Sequence, residues 1–254
     1  MNLIILGAGT GIPSSYLASP SIALLLKNQC ILFDMGPGTL RQLARIGVSH
    51  ENIDQVFLTH FHPDHSADIV HLLFATKNPA VLKRRRPITI TGPAGIGNLI
   101  TCLQKAYDPW LDLPPEMLSI HELDIEAREE RDYGPFKINS QSVMHTDHSL
   151  AYRVELNSGE NFVYSGDTEF CDGIIELAHD CDILIMECSF PEGQHVKGHL
   201  TPSQAGQIAA MSNTKKLVLV HFYPEILGTD IAKACREVYI GELVIGRDFL
   251  QIEL

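Results

Sequence analysis

Thr59-His60-Phe61-His62-Pro63-Asp64-His65 directly follows the apolar run Val56-Phe57-Leu58. The run reads as a buried strand, and imidazoles and a carboxylate crowd the turn beyond it. Pro63 holds that turn, because its ring fixes φ and ends the strand. A buried strand cannot host charge cheaply, but its end presents a side chain held by the rigid sheet. His60 and His62 share a face and can grip one ion, while Asp64 and His65 swing to a second. The position just past an apolar strand recurs downstream. It holds Asp167 after Phe162-Val163-Tyr164, His221 after Leu217-Val218-Leu219-Val220, and His145 after the more mixed Ser142-Val143-Met144. With Asp167 as a bridge these residues complete two shells: His60, His62, His145 and Asp167 around one ion, Asp64, His65, Asp167 and His221 around the other. Nitrogen donors mixed with carboxylates suit zinc first, with manganese or iron as alternatives.

The 254-residue chain is long enough to bury a substantial core, and its 45% hydrophobic content is that of a soluble globular protein. Residues 1–11 are too short and too soon broken by glycine for a signal peptide, and no apolar run approaches a membrane span. The 6 cysteines show no CxxC spacing, so they read as mostly buried thiols in a reducing cytoplasm. A formal charge of −12 argues against affinity built on broad phosphate-backbone contact. A phosphate-bearing substrate stays open, because bound dications add local charge that this sum omits. The basic run Lys83-Arg84-Arg85-Arg86 is read as solvated, opposed by an acidic stretch at 122–132.

Gly7-Ala8-Gly9-Thr10-Gly11 follows a first apolar strand, but Pro13 and Pro20 stand where a dinucleotide fingerprint needs a helix. It is taken instead as a tight loop beside the site. Segments 22–26 and 30–33 read as a hairpin around Lys27-Asn28-Gln29. Asp34, at the end of the second strand, either fixes a metal-bound imidazole or bonds its own turn. A helix is predicted from Thr39, and helical spacing over 67–76 turns Ile69, Leu72, Leu73 and Phe74 toward the core. His71, within it, is placed on the surface or a pocket rim.

The second half repeats the theme. Strands are predicted at 136–145, 149–156, 162–164 and 183–186, the last ending in Glu187-Cys188-Ser189. Further strands fall at 217–220, 242–245 and 249–254, with Gly246-Arg247-Asp248 turning between the closing pair. Thr201 has the look of an N-cap, with Pro202 at the first helical position and Gln204 at capping-box spacing. Two packed sheets with helices outside them fit this order, an α+β arrangement in one domain of two similar halves, about 1–130 and 131–254.

His60-Phe61-His62-Pro63-Asp64-His65 matches the His-x-His-x-Asp-His motif of the metallo-β-lactamase fold hydrolases, and His145, Asp167 and His221 match the later ligand positions. The chain resembles that family, specifically the branch of ribonuclease Z and related phosphodiesterases. The Gly-rich loop, Asp34-Met35-Gly36-Pro37-Gly38-Thr39 and His199-Leu200-Thr201 also resemble that branch. The resemblance implies a four-layer αββα sandwich with a dinuclear site at one edge. It implies hydrolysis by a metal-bridging hydroxide, which Asp64 or Asp167 can orient. His199 would contact the scissile phosphate and help protonate the leaving oxygen, work that suits an imidazole.

Transfer RNA 3′-processing members carry an extended arm between the positions of His145 and Asp167. Here an ordinary hairpin around Asn157-Ser158-Gly159 fills that interval. A small or modest phosphodiester is therefore expected rather than RNA, acted on in the cytoplasm, without a membrane, by an enzyme whose branch commonly forms homodimers. The competing expectations are a carbonyl-centre hydrolase (lactonase, thioesterase or β-lactamase-like) and an endoribonuclease lacking the arm. A diiron redox protein of the same scaffold fits less well, because those proteins place Glu where His62 stands.

Overall fold

Leucine-, isoleucine- and valine-rich runs become strands throughout, and they assemble into two seven-stranded sheets. The computed structural model describes residues 2–27, 29–83, 85–126 and 128–253. Asn28 of the expected hairpin turn and Arg84 of the basic run lie outside them. Two compact units are present, one of Met1–Leu123 with Asp248–Leu254 and one of Asp124–Arg247.

In the first unit β1 (Asn2–Gly7), β2 (Ser21–Leu26) and β3 (Gln29–Phe33) pair antiparallel. From β3 the sheet continues in parallel through β4 (Ile53–Phe57), β5 (Ile88–Pro93) and β6 (Leu118–Leu123). Parallel neighbours need crossovers. The helices α1 (Thr39–Arg45), α2 (Pro63–Ser66), α3 (Ile69–Thr76), α4 (Pro79–Leu82) and α5 (Ile96–Ala106) lie in them. Leu43, Leu72, Leu73 and Ile96 join Leu6, Leu32, Val56 and Ile90 in one buried cluster. Phe74 departs from expectation. Ile69, Leu72 and Leu73 already define the buried stripe of α3, and the next residue turns off it, 55% exposed, edge-on to Trp110. Of the basic run Lys83 and Arg86 are exposed, as read, but Arg85 is not. Arg85 is 6% exposed and donates to the Thr76 hydroxyl and the Ile53 carbonyl, while Arg86 pairs with Asp54.

In the second unit β7 (Glu129–Asp132), β8 (Phe136–Ser142), β9 (Leu150–Leu156) and β10 (Asn161–Tyr164) run antiparallel. Parallel pairing then carries the sheet through β11 (Ile183–Glu187), β12 (Lys216–Val220) and β13 (Glu242–Ile245). The connections contain α6 (Asp172–Leu177), α7 (Pro202–Met211) and α8 (Ile231–Arg236). Thr201 stands at the N-cap of α7, and its N–H donates to the Gln204 side chain, as the capping-box spacing predicts. Strand β7 was hidden by its Glu-Glu-Arg-Asp sequence.

The chain then returns to the first unit, where β14 (Leu250–Glu253) pairs antiparallel with β1. The closing pair expected around Gly246-Arg247-Asp248 is therefore split between sheets. Asp248 drives the departure: its carboxylate accepts the N–H groups of Ala8 and Ala18 and the Gln42 side-chain amide.

Each sheet thus passes from an antiparallel run into a parallel one. Parallel strands end at one edge, and the crevice beyond their carboxyl ends is where open α/β sheets bind ligands. Among the described residues no helix is long and apolar enough to cross a membrane.

Candidate metal centre

Strands β3 and β4 are parallel neighbours, so Asp34 and Thr59-His60 emerge at the same edge of the first sheet. Backbone bonds lock the two loops together: Asp34 N–H donates to the Phe57 carbonyl (2.8 Å) and Met35 N–H to that of His65 (2.6 Å). Asp34 is fully buried at φ +58°, a left-handed conformation that aspartate visits more readily than most residues. Its carboxylate accepts the Thr59 N–H (2.8 Å), the Thr59 hydroxyl (2.9 Å) and the His65 Nδ1–H (2.7 Å). With its proton given to Asp34, the Thr59 oxygen accepts the His60 Nδ1–H (3.0 Å). One carboxylate therefore fixes the tautomer of two imidazoles, with the proton on each Nδ1 and the lone pair on each Nε2.

His60 Nε2 lies 3.0 Å from His62 Nδ1. Two bonds of ~2.05 Å to a tetrahedral ion would place such nitrogens ~3.3 Å apart, so this pair is set for a shared cation. The His65 ring centroid is 4.2 Å from that of His60, and Asp64 Oδ2 is 3.8 Å from His65 Nε2. The Gly-rich loop borders this cluster, as expected: a Cβ on Gly11 would sit 3.4 Å from the Asp64 carboxylate.

The second unit repeats the wiring with different residues. Glu187, the last residue of β11, is fully buried. Its carboxylate accepts the His199 Nδ1–H (2.9 Å), the Ser189 hydroxyl (2.6 Å) and the N–H groups of Thr168 (2.9 Å) and Leu200 (3.1 Å). The Ser189 oxygen in turn accepts the His221 Nδ1–H (2.9 Å). One imidazole is held directly and one through a hydroxyl, as at Asp34.

His145 lies beyond the end of β8, which stops at Ser142, and its Nδ1–H donates to the Gly198 carbonyl (2.9 Å). Gly198 has φ +88°, and a Cβ there would come within 2.7 Å of that nitrogen, so the approach requires glycine. Asp167 is 3% exposed and offers one oxygen to each side, with Oδ2 3.6 Å from His145 Nε2 and Oδ1 3.3 Å from His221 Nε2. A bridging carboxylate has this disposition. Donor atoms of Asp167, His199 and His221 lie within 4.8 Å of one another.

The first unit thus gathers His60, His62, Asp64 and His65, and the second gathers His145, Asp167, His199 and His221. Asp34 takes the first of its two readings, as the acceptor that orients an imidazole. His71 is 75% exposed at its side chain and bonded to Asp68. Glu187, Ser189 and Thr59 were missed. Glu187 had a signal, since it closes an apolar run as His60 and Asp167 do; the hydroxyls had none. Cys188, beside Glu187, is pushed well above the ordinary thiol range by burial and then by the Glu187 charge, which keeps it a neutral wall.

Residues 29–222 match the family model described as the beta-lactamase superfamily domain. The metallo-beta-lactamase fold protein YhfI of Bacillus subtilis is similar at a TM-score of 0.85 with 24% identity, over 99% of both chains. The short form of human tRNase Z is similar at a TM-score of 0.80 with 25% identity, over 100% of this chain and 99% of that one. A ribonuclease Z of Methanothermobacter thermautotrophicus is 27% identical over 94% of this chain and 92% of its own length.

Proposed function

This chain belongs to the beta-lactamase superfamily and has the metallo-β-lactamase fold, and on that premise we propose that it is a metal-dependent phosphodiesterase. The donor set fits divalent cations. Histidines of both units are held by Nδ1, and buried carboxylates supply the charge that a cation requires. His60, His62, His145 and Asp167 would hold one ion and Asp64, His65, Asp167 and His221 the other, and residues 1–254 would act as one catalytic domain. When bound, the ions activate water as the nucleophile and offset negative charge on the transition state. Zinc is the first choice for this mixture of nitrogen and carboxylate donors, ahead of manganese and iron.

The chain's own groups do the rest. Asp34 and Glu187 keep the imidazoles in one tautomer and one orientation. Asp64, on the strand-end loop against Gly11, orients the attacking water. His199 carries the phosphodiester reading: Glu187 holds its Nδ1–H and stabilises its protonated form, which leaves the Nε2 proton for the leaving oxygen. A diester with a poor alkoxide leaving group needs such a donor beside the cation site, whereas a thioester, which leaves as a thiolate, needs less help.

A second reading, RNA 3′ processing, is favoured by the likeness to the ribonuclease Z of Methanothermobacter thermautotrophicus. The short connection between β9 and β10, where the resemblance would place an RNA-grasping arm, and the charge of −12 favour the smaller substrate.

His199→Ala decides the point. Turnover of diesters with poor leaving groups should fall roughly 10²–10⁴-fold with metal content intact. Unchanged turnover would remove the proton-donor role. Faster cleavage of a thioester or lactone than of any diester, or of precursor transfer RNA than of cyclic nucleotides, would replace the small-diester reading.

A further inference from the structure

His145 differs from His221 in what supports it. His221 directly follows the end of β12, whereas His145 sits within the connection between β8 and β9, residues 143–149, whose middle is exposed. Such hairpin connections move more than the strands they join. An imidazole that takes an ion, by contrast, must keep one place and one tautomer. Part of the bracing is internal to the hairpin: Val143 N–H donates to the Ser149 carbonyl and Thr146 N–H to the Ser149 hydroxyl, both at 3.1 Å.

Further bracing converges on Glu169. Its N–H donates to the carbonyl of Met144, the residue just before His145 (2.7 Å). Its carboxylate accepts the Gly198 N–H (2.5 Å), and the Gly198 carbonyl in turn accepts the His145 Nδ1–H (2.9 Å). Glu169 thus reaches His145 twice, at the main chain through Met144 and at the ring through Gly198. Its own segment is pinned, because Glu187 accepts the Thr168 N–H (2.9 Å) and the Thr168 hydroxyl donates to the Glu169 carbonyl (2.8 Å). Gly198 has need of an anchor. It closes the stretch 192–198, which is mostly exposed and has glycines at φ +80° and +88°, a backbone with many states to choose from. Ordering that stretch against the His145 ring costs entropy, which a bond to the half-buried Glu169 carboxylate offsets.

We propose that Glu169 is a positioning residue: through Gly198 and Met144 it fixes the place and the tautomer of His145, and so raises the affinity for the ion that His145 takes. The ion enters from the metal-dependent reading of the site; the hold on His145 does not depend on it.

The full-length wild type is compared with Glu169→Ala, Glu169→Gln and Glu169→Asp. Long-range proton–nitrogen correlation spectra of the metal-free proteins read the His145 ring at about pH 8, where an ordinary imidazole is neutral. The wild type should show a single tautomer with its proton on Nδ1. Glu169→Ala should show exchange between tautomers and should bind zinc about 10-fold more weakly in competition with a chelator. Glu169→Gln, whose amide oxygen has the same reach to Gly198, should restore the single tautomer and most of the affinity. Glu169→Asp, a methylene too short, should behave as the alanine variant and takes its place if that one does not fold. Mixed tautomers in the wild type, a wild-type ring spectrum in the alanine variant, or wild-type zinc affinity there overturns the proposal. A glutamine variant that behaves like the alanine one also overturns it, since the effect would then follow the lost charge and not the bond. Failure of the wild type to bind zinc would instead count against the metal-dependent reading, and the ring spectra would still decide the hold on His145.

Discussion

Asp34 and Glu187 perform one task with the same atoms, each anchoring one imidazole directly and a second through a hydroxyl. Their effect on an ion is indirect but large, since partners that orient a ligating histidine typically control metal affinity by ~10–100-fold. Asp34→Asn should therefore bind zinc ~10–100-fold more weakly by competition with a chromophoric chelator, even though it touches no ion. Wild-type affinity in that variant would show that His65 is held by packing alone. The thiols make a second test. Burial pushes Cys30 up to about 12 and Cys181 and Cys235 to about 11, whereas Cys102 is exposed. Iodoacetamide at pH 8 should modify Cys102 in the folded protein and the other three only after unfolding, as read by peptide mass mapping. At this scale the histidines and aspartates that each unit gathers were legible, because such residues are costly at strand ends and so stand out. The Thr59 and Ser189 hydroxyls were not, because the sequence surrounds such residues with equally plausible capping and turn roles.

Ligand placement works because a loop is clamped, and the clamp at Gly36 is tight. A Cβ there would lie 1.9 Å from the Asp64 carbonyl oxygen and 2.7 Å from the Ser19 Cβ. Gly36→Ala must push the segment carrying Asp64 and His65 away, so it should lose about 1–3 kcal/mol of stability in thermal or denaturant melts and weaken zinc binding as well. Gly228→Ala, with nothing within 4 Å of its added carbon, is the control and should do neither. Equal effects from both substitutions would mean that the clamp is not what positions the loop. Strands β4, β10, β11 and β12 were legible as elements because apolar runs with abrupt polar ends leave little choice. Phe74 misled because period alone does not say how wide the buried stripe of α3 is, and Leu72 with Leu73 fills it. Polar β7 is a strand only because β8 offers it an edge.

On the scale of the whole molecule, ions held by the folded chain and not by the unfolded one add to stability by mass action, about 2.7 kcal/mol when free metal is a hundredfold above its dissociation constant. Chelation should lower the melting temperature, and zinc should restore it; an unchanged melt would argue that the ligands do not bind ions in the folded state. The repeated antiparallel-to-parallel order of the sheets was visible only as a loose likeness between halves, since strand pairing is a property of partners far apart in sequence. The return of β14 to β1 was the least visible of all. Its signal, Asp248 collecting the N–H groups of Ala8 and Ala18, exists only once the two segments meet. That return matters for how the protein is made. On a ribosome β1 emerges before the second unit, yet its outer neighbour follows only after that entire unit has been translated. Throughout that interval β1 is a bare hydrogen-bonding edge, a template that another nascent chain could occupy. The molecule is thus most vulnerable to clumping during its own synthesis, and chaperones that shield nascent chains should matter more to its yield than to its stability once folded.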